Sequence, residues 1–255
     1  MIQKQSSTGK RTAFVTGASY GIGAATALAL ARNAFDVAVA ATRVENLSNV
    51  VAQLAAMDAR VVPVALNLRS HSNIEQAMAT VTDAFGRVDV LVNNAGISNR
   101  KAAVEITPEE WEAVTQTNVT GTFFMCQQMG RHLIGGGRPG CIINMASTHG
   151  IVAMAQRVIY GTSKAAIIHM TKMLAIEWAQ HGIRVNAVAP GTVETPSRAE
   201  FLADRKTRET MLNRVPLHRF GTAEEMADAV CYLVSPEAAY ITGHTLVMDG
   251  GLTVY

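Results

Sequence analysis

Short, nearly unbroken apolar runs alternate along this chain with longer stretches in which apolar residues return every three or four positions. The runs Arg11–Thr16, Asp36–Thr42, Arg60–Asn67, Val88–Asn93, Cys141–Ala146, Ile183–Val188 and Thr245–Met248 read as parallel strands buried on both faces. Between them, Ile22–Asn33, Val44–Met57, Ser70–Phe85, Pro108–His132, Arg157–His181 and Ala223–Leu233 carry a helical period. Regular alternation of strand and helix predicts an α/β fold: a doubly wound, seven-stranded parallel sheet flanked by helices on both faces, with right-handed crossovers. In such sheets a ligand sits beyond the carboxyl ends of the strands. No repeat, low-complexity linker or compositional boundary interrupts the pattern, so residues 1–255 are expected to form a single domain.

Composition agrees with a buried sheet, being 49% hydrophobic and 16% charged. The net charge of +2 and the absence of any Lys/Arg block argue against nucleic acid as a partner. The first ten residues are polar, unlike a signal peptide, and no apolar run approaches the roughly 18 residues of a membrane span. A cytoplasmic location is therefore expected. Cys126, Cys141 and Cys231 form no Cys-x-x-Cys pair and read as reduced, mostly buried residues. The seven histidines show no ligand spacing, so no metal is expected.

The chemistry lies where strands end and helices begin. Thr16-Gly17-Ala18-Ser19-Tyr20-Gly21-Ile22-Gly23 follows the first apolar run and opens the first helical one. Its glycines allow a tight turn, close approach of a pyrophosphate and close helix–strand packing, and the helix start offers N–H groups to phosphate. A fold carrying such a turn is Rossmann-like. A second apolar run ends in Asn93-Asn94-Ala95-Gly96. Tyr160-Gly161-Thr162-Ser163-Lys164 places a phenol and an ammonium at i and i+4, on one helix face. A phenol with pKa near ~10 exchanges protons poorly at neutral pH unless a fixed cation favours its anion, and Lys164 is placed to supply that cation. The constellation points to hydride transfer at a C–OH/C=O centre.

With Asn118, Ser147, Pro190-Gly191 and Asp249-Gly250-Gly251 in order around these motifs, the chain resembles the short-chain dehydrogenase/reductase family in its single-domain form. The resemblance implies that Gly17, Ser19, Tyr20, Gly21, Ile22 and Gly23 hold the dinucleotide. Asn94, Ala95 and Gly96 should line its cleft, with Asn93 stabilising the central strands. Asn67 and Leu68 stand where the family contacts adenine, Asn67 in place of the usual aspartate; an Asn there also suits a strand-end turn. Pro190, Gly191, the Val193 backbone and the Thr195 hydroxyl are expected at the nicotinamide carboxamide. The second strand ends in Ala41-Thr42-Arg43 with no acid to bind ribose hydroxyls, and Arg43 suits a 2′-phosphate. NADP(H) is favoured over NAD(H), although Tyr20 replaces the arginine of many NADP-dependent relatives. Tyr160 is then the general acid/base, Lys164 favours its phenolate and binds the nicotinamide ribose, Ser147 orients the substrate oxygen, and Asn118 holds a water that links Lys164 to solvent.

Substrate choice is expected in Ile97–Ala103, in Thr148–Arg157 with His149, Ile151 and Met154, and in a lid over 192–221 containing a helical stretch, Ser197–Asn213. The general look is nearest the 3-oxoacyl-carrier-protein reductase branch, which docks its carrier through basic residues beside the active site. Arg138 matches one such place, but His181 stands at the other, so a sugar, polyol or small-ketone dehydrogenase is an equal alternative. Pro108–His132 and Arg157–His181 are apolar on more than one face, and the family resemblance makes a homotetramer the expected assembly. A non-catalytic dinucleotide sensor or scaffold is the reading from another class; retention of all four catalytic residues weighs against it.

Overall fold

The computed structural model describes residues 9–196, 199 and 203–254. Strands β1 (Arg11–Thr16), β2 (Phe35–Ala41), β3 (Val61–Ala65), β4 (Val90–Asn93), β5 (Gly140–Met145), β6 (Ile183–Pro190) and β7 (Thr245–Met248) form one parallel sheet, ordered β3-β2-β1-β4-β5-β6-β7. Chain direction across the sheet reverses between β1 and β4, which opens a crevice at their carboxyl ends.

Strand periodicity divides the core in two. Ala13, Val15, Val37 and Val39 point to one face, against Leu30 of α1 (Gly21–Arg32), Leu54 of α2 (Ser48–Ala55) and Val230 of α8 (Ala223–Val234). Phe14, Ala38, Leu91 and Ile142 point to the other, against Ile74 of α3 (His71–Phe85), Met129 of α5 (Thr122–Gly135) and Trp178 of α6 (Val158–Trp178). With a helical layer on each face, successive side chains are buried in opposite directions, which is why β1, β2 and β4 read as continuous apolar runs.

Departures from the expected elements have local causes. β3 is shorter than Arg60–Asn67 because it is the outer strand, where Pro63 is exposed and its missing N–H costs no ladder bond. Val44–Met57 divides into a 3₁₀ turn, Val44–Leu47, and α2. The single helix expected over Pro108–His132 is α4 (Pro108–Thr115), a π-helical turn at Gln116–Gly121, and α5. At this turn the helix presses on the loop after β3: a Cβ on Gly121 would come within 2.6 Å of Leu68. Within the stretch expected to be helical over 197–213, α7 spans Arg205–Leu212; residues 197, 198 and 200–202 lie outside the described part.

A buried polar ladder fixes the height of α6 against the sheet. Asn93 Nδ2 donates to Asn144 Oδ1 (2.9 Å), and Asn144 Nδ2 donates to Thr171 Oγ1 (3.0 Å), linking β4, β5 and α6. All three residues are buried, so each bond replaces one lost to water, and a slip of the helix would orphan the Asn144 amide. Asn93 thus stabilises the central strands. The ladder also touches Cys126, whose thiol burial pushes up to about 12. Cys141 is buried, Cys231 is partly so, and all three cysteines are free thiols. Among the described residues, no helix is long and apolar enough to cross a membrane, and no cluster of three metal-ligating side chains occurs.

Candidate active site

Beyond Thr16 the chain turns at Gly17 (φ +65°), where a Cβ would come within 2.7 Å of Ala95 Cα. A Cβ on Gly23 would overlap the Gly17 carbonyl oxygen and approach Asn94 Nδ2 to 2.5 Å. These absences of side chain let the loops after β1 and β4 fuse. Asn94 Nδ2 donates to the carbonyls of Thr16 (3.1 Å) and Gly17 (2.9 Å), while Thr16 Oγ1 accepts the N–H groups of Asn94 and Ala95, both at 3.1 Å. Ser70, Thr107, Asp204 and Thr222 each cap the helix they precede with a side-chain oxygen; Tyr20, before α1, does not. The opening N–H groups of α1 therefore have no side-chain acceptor, as a phosphate site requires. A tight glycine cradle and an uncapped helix start fit a dinucleotide pyrophosphate.

A cleft of about 710 Å³ runs from this cradle over the ends of β2 and β3. Its wall contains the expected Gly17, Ser19, Tyr20, Gly21 and Ile22, then Thr42, Asn67 and Leu68, and also Asn94, Ala95, Gly96, Tyr160 and Thr195. Gly23 and Arg43 are not in the wall: Gly23 lies beneath the turn, and Arg43 precedes the 3₁₀ turn that follows β2. Asn46, Arg69 and Thr117 line the cleft without having been picked out in the sequence. No Asp or Glu is among its described lining residues. Asn67 Oδ1 accepts the Arg69 N–H (3.0 Å), so this residue does form the strand-end turn.

The cleft continues into a smaller one, of about 200 Å³, where Ser147, Tyr160 and Lys164 meet Pro190, Gly191, Val193 and Thr195. α6 delivers Tyr160 and Lys164 on one face; the Lys164 nitrogen lies 5.6 Å from the centre of the Tyr160 ring and donates to the Met145 carbonyl at 2.6 Å. Burial lowers the Lys164 pKa from its ordinary value, and the neighbouring phenol, when ionised, pulls it back up. Ser147 is 7% exposed and follows β5; its Oγ accepts the His149 N–H (3.2 Å), and the His149 ring stands edge-on to Tyr160 at 5.9 Å.

Asn118 sits in the π-helical turn, fully buried, and both its amide hydrogens are committed. Nδ2 donates to the Ile97 carbonyl (2.9 Å) and Ser163 Oγ (3.0 Å), while Oδ1 accepts the Ile97 N–H (2.8 Å). Ser163 Oγ donates in turn to the Tyr160 carbonyl (2.7 Å). The Asn118 side chain thus ties the loop after β4 to the helix carrying Tyr160. A Cβ on Gly96 would intrude here, 3.1 Å from Asn118 Oδ1 and 3.7 Å from Lys164 Nζ.

On the far side of Ser147 lies a cavity of about 530 Å³. The three segments expected to choose the substrate do line it: Ile97 and Arg100 from the first, His149, Met154 and Arg157 from the second, Met211 and Arg214 from the third. Ile151 does not; it is 48% exposed, outside this wall. The third segment is closed at its base, where Val193 pairs with Gly221 and the Gly221 N–H donates to the Thr192 carbonyl (3.0 Å). Arg138 lies away from the reaction centre of its own chain, in a groove at the amino ends of the strands with Arg11, Arg87 and Arg184. Within one chain the β5 strand that follows Arg138 runs the length of the sheet before reaching Ser147.

The family model described as enoyl-(acyl carrier protein) reductase matches residues 17–253. The chain is 39% identical to 3-oxoacyl-(acyl-carrier-protein) reductase FabG of Thermotoga maritima, over 96% of this chain and 98% of that protein. It is 36% identical to glucose 1-dehydrogenase 2 of Bacillus subtilis, over 97% and 96%. A crystal structure of a variant actinorhodin polyketide ketoreductase with NADPH superposes with a TM-score of 0.90 at 36% identity, covering 96% of this chain and 98% of that one.

Proposed function

The chain belongs to the short-chain dehydrogenase/reductase family and is an oxidoreductase, and from that premise we propose that it interconverts a secondary alcohol and a carbonyl with NADP(H), Tyr160 acting as general acid/base. Ser147, Tyr160 and Lys164 converge where the dinucleotide cleft opens into the second cavity, and that convergence carries the assignment.

When bound, the nicotinamide supplies or accepts the hydride. The protein's residues do the rest. Ser147 Oγ hydrogen-bonds the substrate oxygen and orients it. Tyr160 gives that oxygen a proton during reduction and takes it back during oxidation. Lys164, held at the Met145 carbonyl, keeps a positive charge beside the phenol and donates to the nicotinamide ribose. Since both amide hydrogens of Asn118 are committed, a water held by a backbone carbonyl of the π-helical turn would carry the proton between Lys164 and solvent.

Gly17, Ser19, Gly21 and the start of α1 hold the pyrophosphate; Thr42, Asn67 and Leu68 hold the adenosine; Pro190, Gly191, Val193 and Thr195 hold the carboxamide. The absence of any Asp or Glu among the described lining residues of the cleft, together with the presence of Arg69, supports NADP(H) over NAD(H). The relative solved with NADPH supports the same choice. The segment 192–221 acts as a lid hinged at its paired base, within a single catalytic domain. Exposed Met173 and Ile176 on α6, 56% and 80% accessible, support a homotetramer, and the protein works in the cytoplasm.

Oxidation of NADPH and NADH, followed at 340 nm against acetoacetyl thioesters, keto-sugars and diketones, with polyols in reverse, tests the proposal. Turnover with at least one carbonyl or alcohol, lost in Tyr160→Phe, is the expected result. Binding of dinucleotide with no turnover of any such compound would move the chain to the sensor class.

A further inference from the structure

Ser163 stands between Tyr160 and Lys164 in α6, yet it is fully buried and lies outside the walls of both clefts and of the cavity beyond Ser147. A serine inside a helix commonly donates back to a carbonyl three or four residues earlier, and Ser163 Oγ does so to Tyr160 (2.7 Å). That bond alone is local. What sets Ser163 apart is the acceptor side of the same oxygen, which takes a hydrogen from Asn118 Nδ2 at 3.0 Å. Asn118 holds the loop after β4 by two bonds, Oδ1 accepting the Ile97 N–H (2.8 Å) and Nδ2 donating to the Ile97 carbonyl (2.9 Å). One hydroxyl thus completes a chain from Ile97, which lines both the dinucleotide cleft and the second cavity, to the main chain of Tyr160.

The start of α6 is not tied down by its N-cap: Arg157 carries no side-chain acceptor and makes no capping bond. Lys164 anchors the helix to β5 through the Met145 carbonyl, and Thr171 anchors it further along through Asn144. Both of these hold α6 to the sheet. The Ser163 bond instead holds its first turn to the loop that carries Gly96 and Ile97.

Resting on the oxidoreductase reading above, we infer that Ser163 is a positioning residue for that reaction: its hydroxyl, acting through Asn118, sets the start of the helix bearing Tyr160 against the loop that lines the dinucleotide cleft. Proton transfer at the substrate oxygen and hydride transfer at its carbon must be served by one geometry, so a small misplacement of Tyr160 costs rate rather than binding. Without Oγ, one buried Asn118 N–H loses its acceptor, and an amide that turns to find another loosens its hold on Ile97.

Reduction of acetoacetyl thioesters, keto-sugars and diketones with NADPH tests this in Ser163→Ala. kcat is expected to fall about 10–10²-fold, while KM for the carbonyl and Kd for NADPH stay within about threefold, since the walls that bind both ligands are kept. In a double-mutant cycle with Asn118→Ala, the double variant should lose no more kcat than the poorer single variant, because both act through one tie. Amide hydrogen exchange reads the tie without turnover: the Ile97 N–H should exchange about tenfold faster in Ser163→Ala, with thermal melting to confirm that the variant is folded. A kcat near that of the wild type, losses that multiply across the cycle, or an unchanged Ile97 exchange rate would overturn the inference. Should Asn118→Ala fail to fold, the kcat and exchange of Ser163→Ala decide. If the wild type turns over no compound of the panel, the oxidoreductase reading fails, and Ile97 exchange still decides whether Ser163 holds the loop.

Discussion

Tyr20, Gly96 and Ile97 stand in the walls of both the dinucleotide cleft and the second cavity, yet the molecule is built by different rules on either side of them. The dinucleotide side is made of backbone: glycines without room for a Cβ, and a helix start left uncapped by side chains. Its tolerances are set by main-chain contacts that nothing can flex to relieve. The other side is made of long side chains, Arg100, Met154, Arg157, Met211 and Arg214, on loops and an exposed helix. A backbone cradle fixes one ligand; a side-chain wall can be rewritten without disturbing the sheet beneath it.

The contrast is sharpest where the two sides meet. Tyr160→Phe should lower turnover by about 10³-fold or more while the dinucleotide dissociation constant changes little, since the phenol oxygen alone is removed. Steady-state kinetics beside a binding titration would show it, and near-normal turnover would remove Tyr160 from the chemistry. Lys164→Ala should cost roughly 10²-fold in turnover and weaken dinucleotide binding as well, because the ammonium serves both. The pH profile carries a related expectation. Burial penalises the ammonium, so Lys164 loses its proton at lower pH than an exposed lysine, and the alkaline limb of kcat should begin below 10.5. A limb that starts only above that value would separate the activity from this group.

Smaller effects probe each side alone. Gly23→Ala forces a methyl group against the Gly17 carbonyl, so unfolding free energy should fall by about 1–3 kcal/mol and dinucleotide affinity should fall with it. Urea denaturation measures the first, and a wild-type midpoint would show that the cradle can relax. Gln156→Gly removes the Arg100 contact but also relieves the positive φ, so stability should stay within about 1 kcal/mol while substrate preference changes. If stability collapses instead, the second cavity is as rigid as the first.

That same division decides what the sequence discloses. The sheet, its two helical layers and the glycine turn were legible because each rests on local period or on residues adjacent in the chain, as in Gly17–Gly23 and Tyr160–Lys164. Asn94, Thr195 and the Pro190-Gly191 segment were placed by motif order. Asn46, Arg69 and Thr117 line the dinucleotide cleft but belong to no motif, although Arg69 follows Asn67-Leu68 directly and its position past a strand end was a usable signal. Arg100, Arg157 and Arg214 lay within the segments expected to choose substrate, but their meeting in one cavity depends on three loops converging, which no spacing encodes. Arg138 shows the reverse limit: a match of position in the chain gave no account of which end of its own strand it occupies.

The π-helical turn at Gln116–Gly121 has one more consequence. A π turn holds one residue more than the α-helix around it, so it amounts to an insertion kept in the gene. Removing a single residue there would let α4 run straight into α5, giving a helix with better local hydrogen bonds and leaving the two halves on their present faces. Asn118, which the wider turn sets opposite Ile97, would lose that place. The catalytic geometry is thus maintained against a shorter sequence that would make a better helix and a worse enzyme.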